Sequence, residues 1–286
     1  LLVQDDEGVE QVLRHVSRRA AFHSEDEYRL AERRPLARTG DWTSHPEVRD
    51  AQSAIQSTER LVRLAKRLGK RIHVLHVTTK EEIAYLAAHK DVASVEVTPQ
   101  HLTLAGPEAY ERLKGFAQMN PPIRDAEHRA GLWVGVANGV ADVLGSDHAP
   151  HTREEKARPY PASPSGMPGV QTLLPVMLTH VAEGRLSLER LVDLTSHGAS
   201  RIFDLADKGR MAVGYDADLT IVDLKARRTI THDAMATRAG WTPFDGMDAK
   251  GWPVATIIRG RIVMRDDEIV LKGQGQPVRF RETLGG

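Results

Sequence analysis

The sequence predicts an α/β fold, with parallel β/α units of the kind that close a barrel followed by a small β-rich domain. Three observations carry this. Strand-like and helix-like segments alternate along most of the chain. From about Asp204 the pattern changes to short β-rich runs punctuated by glycine. Near the middle, an apolar pair, Val143-Leu144, passes through Gly145 and Ser146 into Asp147, His148 and His151. That last stretch reads as a buried strand delivering a carboxylate to its C-terminal end, with imidazoles on the loop beyond. In β/α barrels the chemistry sits at that end of the strands.

The elements follow in order. Val9, Val12, Leu13 and Val16 share one helical face within residues 5–18, with acids early and basic residues late. Ala20-Ala21-Phe22-His23 reads as a short strand ending in an imidazole. Residues 33–43 read as a loop. Ser44-His45-Pro46-Glu47 looks like a capped helix start, and the helix runs to a stop at Gly69. A strand at 71–77, a helix at 80–88, a strand at 93–98, a helix at 126–138 and a strand at 142–145 come next. Gly166-Met167-Pro168-Gly169 reads as a shaped turn before a helix at 170–181. Residues 255–270 read as a hairpin turning through Arg265 to Asp267. The domain reading is 1–203 for the barrel part and 204–286 for the β-rich part.

Composition narrows the function. The 286 residues carry 39 Lys plus Arg against 39 Asp plus Glu, so no overall charge argues for nucleic acid or a membrane surface. With no cysteine, disulfides, thiolate catalysis and Cys-ligated zinc are excluded. The chain fits a cytoplasmic protein, with no signal-peptide layout and no apolar run of membrane-spanning length. Nothing matches a phosphate-binding or dinucleotide-binding glycine loop.

His23, His76 and Asp147 each stand at the end of a different candidate strand. Metal sites on β/α barrels collect ligands this way, and neutral His with ionised Asp supplies donors that zinc accepts. The pattern suggests a metal-assisted hydrolase, although each histidine also reads as a structural one. His73 lies three residues before His76, and strand periodicity puts the two on opposite faces. Asn120 precedes Pro121-Pro122, which would hold the chain extended, so it is either a substrate donor or a turn residue. Arg153, Lys156 and Arg158, around Glu154 and Glu155, read as a solvated loop.

The stretches DVLGSDHAPHT, IHVLHVTTKEE, EVTPQHLTL, MNPPIR and SGMPGVQT, with GYDADLTIVDL and WTPFDGM further on, together resemble the dihydroorotase group of the amidohydrolase superfamily. Hydantoinases and allantoinases are the nearest confusions. The resemblance implies the later part of a distorted (β/α)8 TIM-type barrel with a small β domain, and one or two zinc ions per complete chain. It implies His23, His76 and Asp147 as metal ligands, with Asp147 also the catalytic acid and base. Asn120, His151 and Gly166 would hold the ring and its carboxylate. His101 matches a histidine near the site and is given no ligand role, and relatives with paired histidines differ from Gln100-His101 here.

The implied reaction is reversible, zinc-dependent hydrolysis of dihydroorotate to N-carbamoyl-L-aspartate in pyrimidine synthesis. The partners implied are a small anionic pyrimidine substrate and either a second copy of the chain or a transcarbamoylase. A hydantoinase or allantoinase, and a non-catalytic structural partner, are the alternatives. The family's His-x-His and its bridging ligand have no counterpart here, and the chain opens with Leu-Leu-Val. We therefore expect the later part of a longer polypeptide, one that would not make a stable fold alone.

Overall fold

The computed structural model describes residues 3–281. The chain divides into two compact units. One runs to Gln171 and takes in His232–Pro243, and the other comprises Thr172–Thr231 and the residues from Phe244 onward. The first is a barrel-like α/β core on a parallel sheet, and the second carries a distinct antiparallel sheet.

In the first unit, four strands lie side by side in sequence order: β1 (Ala20–Phe22), β2 (Ile72–Val74), β3 (Ala93–Val97) and β4 (Val143–Leu144). All three pairings are parallel, aligning Ala20 with Ile72, Ile72 with Ala93, and Glu96 with Val143. Ile72, Val74, Val95, Val97 and Val143 are all buried, which is what a parallel sheet covered by its crossover helices requires.

The crossover helices start where the sequence supplies caps. Asp5 accepts from Gly8 N at 2.7 Å at the head of Asp6–His15. Thr79 and Glu82 form a reciprocal capping box at the head of Lys80–Ala87. Asp125 accepts from Glu127 N and His128 N at the head of Ala126–Ala137.

The helix expected from Ser44 to Gly69 is broken. A single turn, His45–Val48, ends at Arg49, and the long helix is Ala51–Arg67. Asp50 takes over as its cap, accepting from Ser53 N at 3.0 Å while Arg29 donates to the same carboxylate. The expected Ser44 cap does not form: Ser44 closes a short turn that begins at Trp42, its hydroxyl donates to Asp41 O at 2.6 Å, and the long helix starts only at the Asp50 cap.

The second unit packs the helix Leu173–Ala182 on an antiparallel sheet. Its strands run in the order β5 (Leu219–Thr229), β6 (Asp248–Ile258), β7 (Arg261–Arg265) and β8 (Glu268–Ile269). The expected single hairpin over 255–270 is two. A tight turn at Arg259-Gly260, with φ of 47° and 76°, joins β6 to β7. The expected turn then follows at Asp266-Asp267 and leads into β8. No helix among the described residues is long and apolar enough to cross a membrane.

Candidate active site

All four parallel strands present chemistry at their C-terminal ends. His23 follows β1 directly, His76 lies two residues past β2, Glu96 sits within β3, and Asp147 lies three residues past β4. His76 and Asp147 have φ of 35° and 41°. Left-handed backbone at a residue with a side chain is uncommon and costs energy, and such positions cluster at functional sites. Here it turns both chains sharply as they leave the sheet.

The structure brings His23 and His76 together. His23 Nδ1 stands 3.1 Å from His76 Nε2, and the rings meet edge to face with centroids 4.8 Å apart. The other nitrogen of His23, Nε2, donates to Glu25 Oε2 at 2.9 Å. Glu25 is buried and held by Arg49, whose Nε lies 3.0 and 3.2 Å from its two oxygens and whose Nη2 donates as well. Burial works to raise the Glu25 carboxyl, but the His23 hydrogen bond and the Arg49 charge outweigh it and bring it down to about 2. A carboxylate so held fixes which His23 nitrogen faces His76. Burial, then the neighbouring His23, push the His76 imidazole down to about 4, so it is neutral at ordinary pH.

Two imidazole nitrogens bound tetrahedrally at zinc–nitrogen distances stand about 3.3 Å apart. The 3.1 Å separation of His23 Nδ1 and His76 Nε2 fits that donation. The outer nitrogen of His76, Nδ1, is buried without a hydrogen-bond partner, which leaves it free to carry the ring proton. The His23–Glu25 contact is the carboxylate support that metal-bound histidines commonly have. No third His, Asp, Glu or Cys among the described residues joins this pair in a three-ligand group. The donors fit a divalent cation as a two-nitrogen partial set.

Asp147 is placed apart from that pair but feels it. Burial, then the charge of Glu96, raise its carboxyl above the usual range, and His23 partly offsets them. Glu96 is a residue that the sequence reading missed. Its Oε1 accepts from His76 N at 3.2 Å, and its carboxylate lies over Gly145, where an added Cβ would stand 2.3 Å from its carboxyl carbon. The signal was a charge inside an otherwise apolar strand, Val95-Glu96-Val97.

The remaining residues gather around two loops. Asn120 leaves its amide oxygen buried without a hydrogen-bond partner. His101 is buried, accepts or donates at Thr98 Oγ1 (2.8 Å) and meets the carbonyl of Pro121 at 3.0 Å, so it supports the Asn120 segment. Burial pushes this histidine down to about 3. Gln100 donates to Ser146 O at 2.9 Å and braces the Asp147 turn. His151 Nε2 donates to Ser165 O at 3.1 Å. Gly166 has φ of 139° and donates to Gln118 O at 2.9 Å, and a Cβ there would stand 2.3 Å from Ala149 O.

Two readings need correction. Lys156 is not solvated but completely buried, because the loop folds over it and two carbonyls, those of Gln118 and Pro164, accept hydrogen bonds from its Nζ. His73 and His76 are not simply on opposite faces of one strand. β2 stops at Val74, His73 is buried against Ser94 Oγ at 2.8 Å, and His76 belongs to the turn beyond.

Imidazoles and carboxylates line the C-terminal rim of successive parallel strands, two of them on strained backbone, which is where β/α barrels carry their active sites. The family model for the amidohydrolase family matches residues 23–263, and the chain belongs to that family. A dihydroorotase of Methanosarcina mazei is 36% identical over 98% of this chain and 64% of its own length. One of Halobacterium salinarum is 38% identical over 83% of this chain and 54% of its own. Among solved structures, the L-hydantoinase (dihydropyrimidinase) of Arthrobacter aurescens superposes with a TM-score of 0.89 at 28% identity, covering 95% of this chain and 63% of that one. The D-hydantoinase (dihydropyrimidinase) of a Thermus species gives 0.86 at 27%, covering 93% and 62%. The chain thus spans less than two thirds of the length of these relatives.

Proposed function

We propose that the chain carries part of the active site of a metal-dependent cyclic amidohydrolase, one that opens a ring amide by adding water. The observation that carries this is the convergence of His23 Nδ1 and His76 Nε2 to 3.1 Å at the strand rim. Asp147 stands at the end of a strand in the same sheet, with a raised proton affinity.

In this reading His23 and His76 would supply two donors to a zinc ion, and Asp147 would have to move in with further donors to complete the sphere. A zinc ion held there would supply Lewis acidity toward a water and the ring carbonyl. Asp147 takes the proton from the attacking water and returns it to the ring nitrogen as the amide bond breaks. A carboxyl whose proton affinity is raised by burial and by Glu96 suits both halves of that exchange. Glu25, through Arg49, keeps His23 Nε2 engaged so that Nδ1 faces inward. Asn120 Oδ1 accepts from a ring N–H. His151 and the backbone around Gly166 orient the ring's polar edge.

Two substrate readings have support. Curated relatives at 36–38% identity are named dihydroorotase, which favours dihydroorotate and a place in pyrimidine synthesis. The solved structures with TM-scores of 0.86 and 0.89 are named hydantoinase and dihydropyrimidinase, which favours a hydantoin or dihydropyrimidine ring. The zinc-loaded protein is assayed for ring opening of dihydroorotate, hydantoin, dihydrouracil and allantoin. We expect turnover of one of them, reduced at least about 100-fold in Asp147→Asn. No turnover of any of the four by zinc-saturated protein that also carries the remaining donors would refute the catalytic reading and favour a structural partner, for example of a transcarbamoylase.

A further inference from the structure

Lys156 is a buried cation for which the proposed chemistry has no use. Its side chain is wholly inaccessible, and no carboxylate pairs with it among the described residues. The ammonium donates to Gln118 O at 2.8 Å and to Pro164 O at 2.7 Å, and lies 5.8 Å from the centre of the Trp241 ring. Burying an ammonium without a counter-ion is costly, so simple packing would be better served by an apolar side chain. What the ammonium does that methylenes cannot is draw two carbonyls, from segments without regular structure, onto one point.

Those two segments carry the proposed ring-holding residues. Gln118 is two residues before Asn120, and its carbonyl also accepts from Gly166 N at 2.9 Å. Its side chain crosses the same gap, donating to Ser163 O at 2.7 Å and Ser165 Oγ at 3.3 Å. Ser165 O in turn accepts from His151 Nε2, and His151 O accepts from Trp241 Nε1 at 2.8 Å. Asn120, His151 and Gly166 therefore share one brace, and Lys156 is at its centre.

We propose that Lys156 is a positioning residue that sets the spacing between the Asn120 segment and the His151–Gly166 loop. The inference rests on the ring-holding roles given above to those three residues. The test compares wild type with Lys156→Met, which keeps the length and removes the donors, and with Lys156→Gln, which keeps a neutral donor if the first fails to fold. Three quantities are read on the zinc-loaded protein: KM against kcat for the ring it opens, zinc content, and amide exchange at Gly166 beside Val95 in β3.

The expected result is a KM raised about 10- to 100-fold, as for a misplaced binding group, with kcat and zinc content little changed. Gly166 exchange accelerates while Val95 exchange does not. Equal acceleration at both amides, with KM unchanged for the folded fraction, would overturn the proposal and leave Lys156 a general stabiliser. Unchanged Gly166 exchange would also overturn it. If wild type opens no ring, the functional reading falls, and the contrast between the two amides alone decides whether Lys156 sets the loop spacing.

Discussion

Replacing Lys156 by methionine should change how stability depends on pH. Burial lowers the Lys156 ammonium from 10.5 to about 7. The unfolded chain therefore binds a proton that the folded protein releases across the window from about pH 7 to 10.5, and stability must rise with pH through that window. Below about pH 7 the protein carries the full cost of the buried charge, about 3.5 pKa units at 1.36 kcal/mol each, or roughly 5 kcal/mol. Half the folded molecules are already neutral at pH 7, so the gain between pH 7 and 9 integrates to about 2 kcal/mol. Lys156→Met has no such proton and should lack that gain, while other titrating groups affect both proteins alike. Urea unfolding of the two proteins at pH 7 and pH 9 measures the difference. If their pH responses agree within about 0.5 kcal/mol, Lys156 is not a buried cation of depressed proton affinity and the reasoning is wrong.

Three further outcomes follow from the rim of the sheet. Glu25→Gln should weaken zinc binding about 10- to 100-fold in a chelator competition, because the His23 Nε2 bond loses its charge; unchanged affinity would remove Glu25 from the site's support. The same variant should lose less stability on acidification, since the Glu25 contribution is present above about pH 4.5 and disappears as the pH falls toward 2. Gly145→Ala should push the Glu96 carboxylate aside, because its Cβ would stand 2.3 Å from the carboxyl carbon at the end of that flexible side chain; thermal unfolding should show a loss of about 1 kcal/mol or less, and a loss above about 3 kcal/mol would mean that the carboxylate is fixed in place.

The parallel strands and the residues at their ends were legible because both signals are local. Short apolar runs leading to His23, His76 and Asp147 need only the chain itself to be read. Glu25 and Arg49 were not legible. They are 24 residues apart, and each alone looks like an ordinary surface charge, yet folding buries Glu25 against a half-buried Arg49 behind His23. Glu96 was visible as a charge in an apolar strand but had no stated partner until β3 and β4 were side by side. The restart of the helix at Asp50 was hidden for another reason: Ser44 and Asp50 are both good cap residue types, but the Ser44 hydroxyl turns back to Asp41 O while Asp50 accepts from Ser53 N and is held by Arg29.

By itself the sequence determined the fold class, the change from α/β to β-rich grammar, and the residue types at the strand ends. These follow from periodicity and from the chemistry of single side chains. Only the tertiary structure decided which nitrogen of His23 faces His76, which carboxylate lies behind it, and that Lys156 is inside rather than outside. Each of those depends on segments distant in the chain meeting in a low-dielectric interior, where the cost of an unpaired polar group, rather than local propensity, selects the arrangement.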